Sequence, residues 1–132
     1  FCPILRTLNV VSCNKGCDEM DMPSLKKTLC KAYALLGSEE NVGTVAFITA
    51  AGIITGTVLR MPSDDSTELI PLITKQSSID YFEKYRVSPQ CVPGNDGMIL
   101  LGNATLQHGS ESTHFEYLTV FYDQIIGVTL LS

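Results

Sequence analysis

Hydrophobic and polar positions recur with two different periods along this chain, and each period predicts its own kind of element. Between Pro23 and Gly37 apolar residues return every three or four positions, which predicts an amphipathic helix. From Val42 onward, β-branched and apolar runs are typical of strands. The predicted buried face of the helix carries Leu25, Leu29, Ala32, Tyr33 and Leu36, with Cys30 beside it as a small core residue.

Two hairpins are predicted from the strand-like runs. Residues 43–61 hold two β-branched stretches around Ala51-Gly52, a turn with glycine where a positive φ is convenient. Gly56 lies inside the second stretch, where a missing side chain lets a sheet bend sharply. Residues 98–108 and 113–122 form the second, longer hairpin across the loop "GSES".

The region between the hairpins is predicted to hold one strand and one short helix. The run "TELIPLITK" (67–75) predicts a strand, with Pro71 at an edge or a bulge because proline cannot donate a ladder hydrogen bond. The run "SSIDYFEKYRVS" (77–88) predicts a short helix that Ser77 or Ser78 caps.

The end of the chain, "FYDQIIGVTLLS", consists of two apolar bursts around Asp123-Gln124. Two polar residues are too few to cross the face of a sheet, so they predict a tight corner from a fourth strand into a closing fifth strand. The closing strand is expected to place Ile126, Val128 and Leu130 on one face.

These elements predict an α+β, mainly β fold: an N-terminal helix followed by a five- or six-stranded, strongly bent barrel with a helical insertion. Residues 1–22 are interpreted as an N-terminal arm or leader, and residues 23–132 as a single domain with the insertion at about 76–97. The arm contains a strand-like run at residues 3–12 that has no hairpin partner nearby, so it needs a sheet edge elsewhere.

Two stretches carry a resemblance to a known family. A hairpin leading into a glycine-containing strand, "VAFITAAGIITGTVL" (45–59), and the tight corner in "LTVFYDQIIGVTL" (118–130) resemble the Sm/LSm-like, SH3-like small β-barrel. The resemblance implies that family's fold and its strand-to-strand ring assembly. The asparagine with which the family contacts an RNA base has no counterpart in the corresponding loop, "MPSDDS" (61–66).

The charge distribution bears on nucleic-acid binding. Residues 37–132 hold four basic and eleven acidic side chains, a net charge of −7, and such a surface repels phosphate backbones. The helix, in contrast, carries Lys26, Lys27 and Lys31, which are the predicted contacts if the protein binds nucleic acid, with Tyr33 as a stacking platform. The alternative interpretation is that the three lysines form the solvated face of an amphipathic helix.

The chain has five cysteines, an odd number that cannot all pair within one molecule. Cys2, Cys13 and Cys17 fall within the first 17 residues and are the candidates for assembly or disulfide formation, for example by locking the arm strand onto a neighbouring edge. Free thiols would place the protein in the cytoplasm, whereas oxidised N-terminal cysteines would place it at the cell surface or outside the cell. Sequence alone leaves both open.

No pattern predicts a catalytic, metal or cofactor site. If "GSES" caps a hairpin, His108 opposes residue 113, and both histidines lie near one tip with Glu111 between them. Two exposed polar residues at a loop end are the simpler interpretation. A nucleophile built from Cys91 and either histidine has no local support in the sequence.

The sequence therefore predicts a non-enzymatic, self-associating module, a structural or interaction subunit of a homo-oligomer that uses no cofactor and no membrane. The main reason is "MILLG" (98–102), where successive side chains point to opposite faces of a strand yet the first four are all apolar. One face fills the core, and the other needs a cover from the insertion helix or a second subunit. The alternatives are an RNA or single-stranded nucleic-acid binding protein and, less favoured, a small Cys- or His-dependent enzyme.

Overall fold

The computed structural model describes residues 22–39, 43–60, 67–89 and 92–131. These residues form an α+β fold with two helices and a five-stranded antiparallel sheet, which confirms the predicted class at that level. The helices are α1 (Leu25–Gly37) and α2 (Leu69–Tyr85). The strands are β1 (Thr44–Thr49), β2 (Gly52–Val58), β3 (Met98–His108), β4 (Glu111–Phe121) and β5 (Ile125–Leu131), and a 3₁₀ helix at Tyr122–Gln124 joins β4 to β5.

The sheet is open, which corrects the predicted closed barrel. The strand order is β4-β3-β2-β1-β5, and every neighbouring pair is antiparallel. Closure requires hydrogen bonds between the first and last strands of that order, and among the described residues β4 and β5 form none. The 3₁₀ corner redirects the chain from β4 into β5 within three residues, as predicted for Asp123-Gln124, but β5 then pairs with β1.

Two register shifts bend the sheet. One lies between Thr55 and Thr57 in the β2–β3 pairing, at Gly56, as the sequence predicted for a sharp bend. The other lies in the β1–β5 pairing, where Ile125 and Gly127 have partners on β1 and Ile126 does not. This second shift corrects the predicted face of the last strand: Ile125 is buried in the core, whereas Ile126 faces solvent.

The hydrophobic core lies between α1 and one face of the sheet. Its largest fully buried side chains are Phe47, Leu101, Ile125, Val45 and Cys30. Val128 and Leu130 pack against this cluster from the closing strand. Full burial of one such side chain contributes about 1.5–3 kcal/mol to the free energy of folding, so this layer is the main source of stability.

Helix α1 rotates a different face toward the core than its sequence pattern predicts. Its buried residues are Lys27, Cys30 and Ala34, while Leu25, Leu29 and Leu36 are exposed. The loop before β3 lies over the start of the helix and binds Lys27 and Ser24, which fixes the rotation of α1. The core assignment of Cys30 is confirmed, and its thiol is free.

Helix α2 begins eight residues earlier than the predicted short helix and replaces the predicted strand at 67–75. Pro71 is compatible with this because it is the third residue of the helix, where a backbone N–H has no intrahelical acceptor. Ser77 and Ser78 are mid-helix residues and not caps, and the Ser78 hydroxyl donates to the carbonyl oxygen of Thr74 at 2.8 Å. The helix ends where Arg86 adopts a left-handed conformation, with φ 53°.

Several predicted features lie outside the described residues: the arm with its strand at 3–12, Cys2, Cys13 and Cys17, and Cys91. In the part of the chain that the structure covers, neither helix is long and apolar enough to cross a membrane.

Candidate functional site at the sheet edges and an adjoining cleft

Strand β5 forms one edge of the described sheet, and its own sequence does not block further pairing. It pairs with β1 on one side, and no described residue pairs with its other side. Its sequence, IIGVTLL, contains neither a charged residue nor a proline, the usual means by which edge strands are blocked. The side chain of Ile126 is 71% exposed, and Leu131 is also exposed. In the part of the chain that the structure describes, the edge therefore offers an unpaired backbone ladder beside apolar side chains.

Strand β4 forms the opposite edge of the sheet, and its two halves differ in charge. Its first half, at the hairpin tip, carries Glu111, His114 and Glu116. Its second half, YLTVF, is uncharged and ends at the exposed Phe121. Charged side chains discourage strand pairing near the tip, so the part of this edge that is open to a partner strand is the half that leads into the 3₁₀ corner.

The hairpin register separates the two histidines. His108 opposes Glu111, with 3.8 Å between its Nδ1 and a carboxylate oxygen, and not residue 113 as predicted. His114 opposes Thr105. Positions 111 and 114 are three apart on one strand, so their side chains point to opposite faces of the sheet. The structure therefore does not bring the two imidazoles together at one tip.

A second region of interest lies where the start of α1 meets the loop at 92–97, just before β3. The backbone N–H of Ser24 donates to the carbonyl oxygen of Gly94 at 3.0 Å, and the N–H of Gly94 donates to that of Met22 at 3.0 Å. The Ser24 hydroxyl also contacts the side-chain oxygen of Asn95 and accepts from the N–H of Lys27, capping the helix. The loop is thus fixed to the first turn of α1 by hydrogen bonds.

Lys27 is the most unusual side chain in this region because it is a lysine that is only 2% exposed. Its Nζ donates to the carbonyl oxygen of Val92 at 2.9 Å and lies 5.8 Å from the ring centroid of Tyr122. Desolvation by burial, with a smaller effect of Lys31, lowers the pKa of Lys27 to about 8, and the charge of Asp96 acts in the opposite direction. The ammonium of Lys27 therefore releases its proton more readily than that of an exposed lysine.

Burial also shifts the pKa values of two neighbouring groups of the core, Tyr122 and Cys30. Desolvation raises the pKa of Tyr122 to about 12, with a further contribution from Cys30. Burial likewise raises the pKa of the Cys30 thiol. The phenol and the thiol therefore stay protonated at neutral pH, and neither supplies a negative charge to the ammonium of Lys27.

A cleft of about 790 Å³ opens beside Lys27, between α1, α2 and the end of the sheet where β3 starts and β4 finishes. Its apolar wall is formed by Ile73, Tyr81, Phe82, Met98, Phe121 and Tyr122. Polar groups reach it from Lys27, Lys31 and Asp96 and from the hydroxyls of Thr74, Ser77, Ser78 and Thr119. The volume lies in the range of pockets that hold small organic molecules, and a mostly apolar lining with a few polar groups is typical of them.

The structure does not bring the three predicted nucleic-acid contacts together. Lys27 is buried, Lys31 lies on the wall of the cleft, and Lys26 is outside that wall. Neither the cleft nor the burial of Lys27 was predicted from the sequence. The only available signal was the spacing of Lys27 and Lys31, four residues apart on one helical face, and that spacing is equally typical of a solvated face.

Comparisons of the chain with protein-family models, with curated proteins and with solved structures find no match. The functional proposal therefore rests on the residues of the chain itself.

Proposed function

We propose that this protein is a non-enzymatic, self-associating module whose copies join along the free edges of the sheet. The observation that carries the proposal is the edge of β5, which is apolar, uncharged and unpaired among the described residues. An edge of this kind readily adds a strand from another chain, because each new backbone hydrogen bond satisfies a donor and an acceptor at once.

The uncharged half of β4 is the best partner for β5. Both segments are short, lack charges and lie on either side of the same 3₁₀ corner. Pairing β4 of one copy with β5 of the next is a head-to-tail contact, which generates a ring if the rotation closes and a filament if it does not. The helix, the five antiparallel strands and the three-residue corner are compatible with a small β-barrel-like fold, and the Sm/LSm-like resemblance of the sequence implies assembly of this type.

The exposed face of α1 supports the same proposal. Leu25, Leu29 and Leu36 share one side of the helix and face away from the core. Contiguous apolar surface of this kind commonly marks a protein–protein interface. Association would remove these side chains from water in addition to satisfying the backbone of the edge strands.

Mass measurement on the native protein tests the proposal. We expect light scattering or native mass spectrometry at micromolar concentration to show an oligomer. The substitution Ile126→Lys places a charge on the β5 edge, where the wild-type side chain is 71% exposed, so the fold should tolerate it. We expect it to weaken association at least tenfold, since a new edge charge must be desolvated when a strand is added.

Leu69→Lys is the matched control, because Leu69 is 69% exposed and lies at the start of α2, on neither edge strand. This variant should assemble like the wild type. A wild-type protein that remains monomeric at 100 micromolar, or an equal loss of assembly in both variants, would contradict edge-to-edge association.

A further inference from the structure

The cleft beside Lys27 has the composition of a ligand site that self-association does not require. We propose that it binds a small organic monocarboxylic acid, with the apolar body of the acid between α2 and the end of the sheet and its carboxylate on the Lys27 ammonium. The proposal rests on three features of the described residues: an ammonium without a counter-ion, an apolar wall opposite it, and a net positive charge on the lining.

Among the described residues, the ammonium of Lys27 has no ionic partner. Of its three protons, the described residues accept one, through the carbonyl oxygen of Val92. No carboxylate in the described part of the chain forms an ion pair with Lys27, and Asp96 influences it only from a longer distance. A buried charge of this kind is costly unless it is paired, so a carboxylate that reaches Nζ would replace solvation that the folded chain has removed.

The wall of the cleft determines what the rest of the ligand must be. Ile73, Tyr81 and Phe82 come from α2, and Met98 and Phe121 come from the end of the sheet. These side chains offer dispersion contacts and aromatic faces but no charge. An alkyl chain or an aromatic ring therefore fits the wall, whereas a sugar or a peptide backbone would leave its polar groups without partners.

The charge of the lining limits the head group. Lys27 and Lys31 contribute two positive charges and Asp96 one negative charge, so a monoanion neutralises the cleft. A phosphate dianion would meet too few donors, because the lining has no arginine. A carboxylate matches the single positive charge, and the hydroxyl of Ser77 can donate to its second oxygen, whereas the Ser78 hydroxyl already donates to Thr74.

Decanoate and decan-1-ol are suitable probes, since they share a ten-carbon chain and differ in the charged head. With lysine side chains labelled with ¹³C, NMR can follow Lys27 in the full chain during titration with each probe. We expect decanoate to bind at least tenfold more tightly than decan-1-ol. It should also raise the pKa of Lys27 above the value in the free protein, because the carboxylate stabilises the ammonium. Decan-1-ol should leave that pKa unchanged.

Substitution of Lys27 distinguishes a role in binding the carboxylate from a purely structural role. Lys27→Met keeps an unbranched side chain, one heavy atom shorter, and removes its charge, so it should weaken decanoate binding at least tenfold and change decan-1-ol binding less than twofold. Lys84→Met is the matched control: Lys84 also lies over an aromatic ring, at 5.5 Å from the centroid of Tyr85, but it does not line the cleft. This variant should bind both probes like the wild type.

Equal affinity of the wild type for the acid and the alcohol, or binding of decanoate that leaves the Lys27 resonance and its pKa unmoved, would overturn the proposal. Failure of decanoate to bind at millimolar concentration would overturn it as well. If Lys27→Met does not fold, the titrations of the wild type alone still decide between these outcomes.

Discussion

Helix α1 contacts the rest of the molecule in two chemically different ways along its length. In its second half Cys30 and Ala34 pack on the sheet, among side chains such as Phe47 and Leu101 that water does not reach. In its first turn Ser24 and Lys27 hold the loop before β3 through hydrogen bonds. The apolar half gains stability in proportion to the area it buries, whereas the polar half depends on a few directed bonds and buries a positive charge.

This difference indicates separate roles for the two halves. An apolar core requires volume and shape, and it tolerates many apolar sequences of similar size. A buried ammonium costs free energy in the absence of a partner anion, so the first turn of α1 is stabilised less than it could be. Lys27, the residue of this first turn that buries a charge, also lines the cleft.

The largest expected effect comes from the apolar half. Phe47 is 0% exposed and lies on β1, between β2 and β5. Phe47→Ala should lower the free energy of unfolding by about 3–5 kcal/mol, because it removes a large buried side chain and leaves a cavity. Urea denaturation followed by circular dichroism measures the change.

A phenylalanine-to-alanine substitution in the cleft provides the comparison with Phe47→Ala. Phe121 is 56% exposed and lines the cleft, so Phe121→Ala should cost less than about 1 kcal/mol. Similar losses in the two variants would show that the core is not concentrated on the α1 side of the sheet.

A smaller effect is expected at the hairpin that positions β1. Gly52 has φ 144°, and an added Cβ would overlap the carbonyl oxygen of Gln107 on β3. Gly52→Ala should therefore cost roughly 2–3 kcal/mol, since it combines backbone strain with a clash against the main chain. Thermal unfolding detects a loss of this size.

Gly109 provides the comparison, because it also has a positive φ, 65°, but an added Cβ would meet nothing within 4 Å. Gly109→Ala should cost only about 1–2 kcal/mol, the penalty of the left-handed conformation itself. If Gly109→Ala proves as damaging as Gly52→Ala, backbone strain alone governs both turns and the contact with Gln107 is unimportant.

Much of the sheet could be predicted from the sequence because its signals are local. A turn at Ala51-Gly52, a bend at Gly56 and a corner at Asp123-Gln124 each depend on residues that are adjacent in the chain. The openness of the sheet and the partner of β5 could not be predicted in this way, because they depend on contacts between distant segments. The resemblance to a barrel family favoured closure, but among the described residues β4 and β5 do not pair.

The two helices are the elements for which the sequence pattern led to wrong predictions. The leucines of α1 recur at helical spacing, but the bonds from Ser24 and Lys27 to residues more than 60 positions away decide which side of the helix is buried. In α2, Pro71 was interpreted as a residue at the edge of a strand, but proline is equally acceptable in the first turn of a helix. The cleft could not be predicted at all, because it is formed by α1, α2 and the end of the sheet together.

The smallest expected effect concerns the charge on Lys27 and its dependence on pH. Burial lowers the pKa of this lysine from 10.5 to about 8. Below pH 8 the group is protonated in both the folded and the unfolded state, so its contribution does not vary with pH. Between pH 8 and pH 10.5 the folded protein has released the proton while the unfolded chain still holds it, and stability therefore rises with pH over that interval.

Lys27→Met makes this contribution measurable. The free energy of unfolding of the wild type, relative to that of the variant, should increase by on the order of 1 kcal/mol from pH 8 to pH 10.5. This is less than the free energy that corresponds to the whole pKa shift, because the side chain lines an open cleft where solvent screens its charge. Tyr122 and Cys30 have raised pKa values and therefore lower stability as pH rises, but both proteins contain them, so the difference cancels their effect. Urea denaturation of both proteins under reducing conditions, at half-unit steps of pH, gives the profile. If the difference in the free energy of unfolding does not change over this interval, the Lys27 ammonium is as well solvated in the folded protein as in the unfolded chain. The two halves of α1 would then differ in the shape of their contacts but not in the burial of a charge.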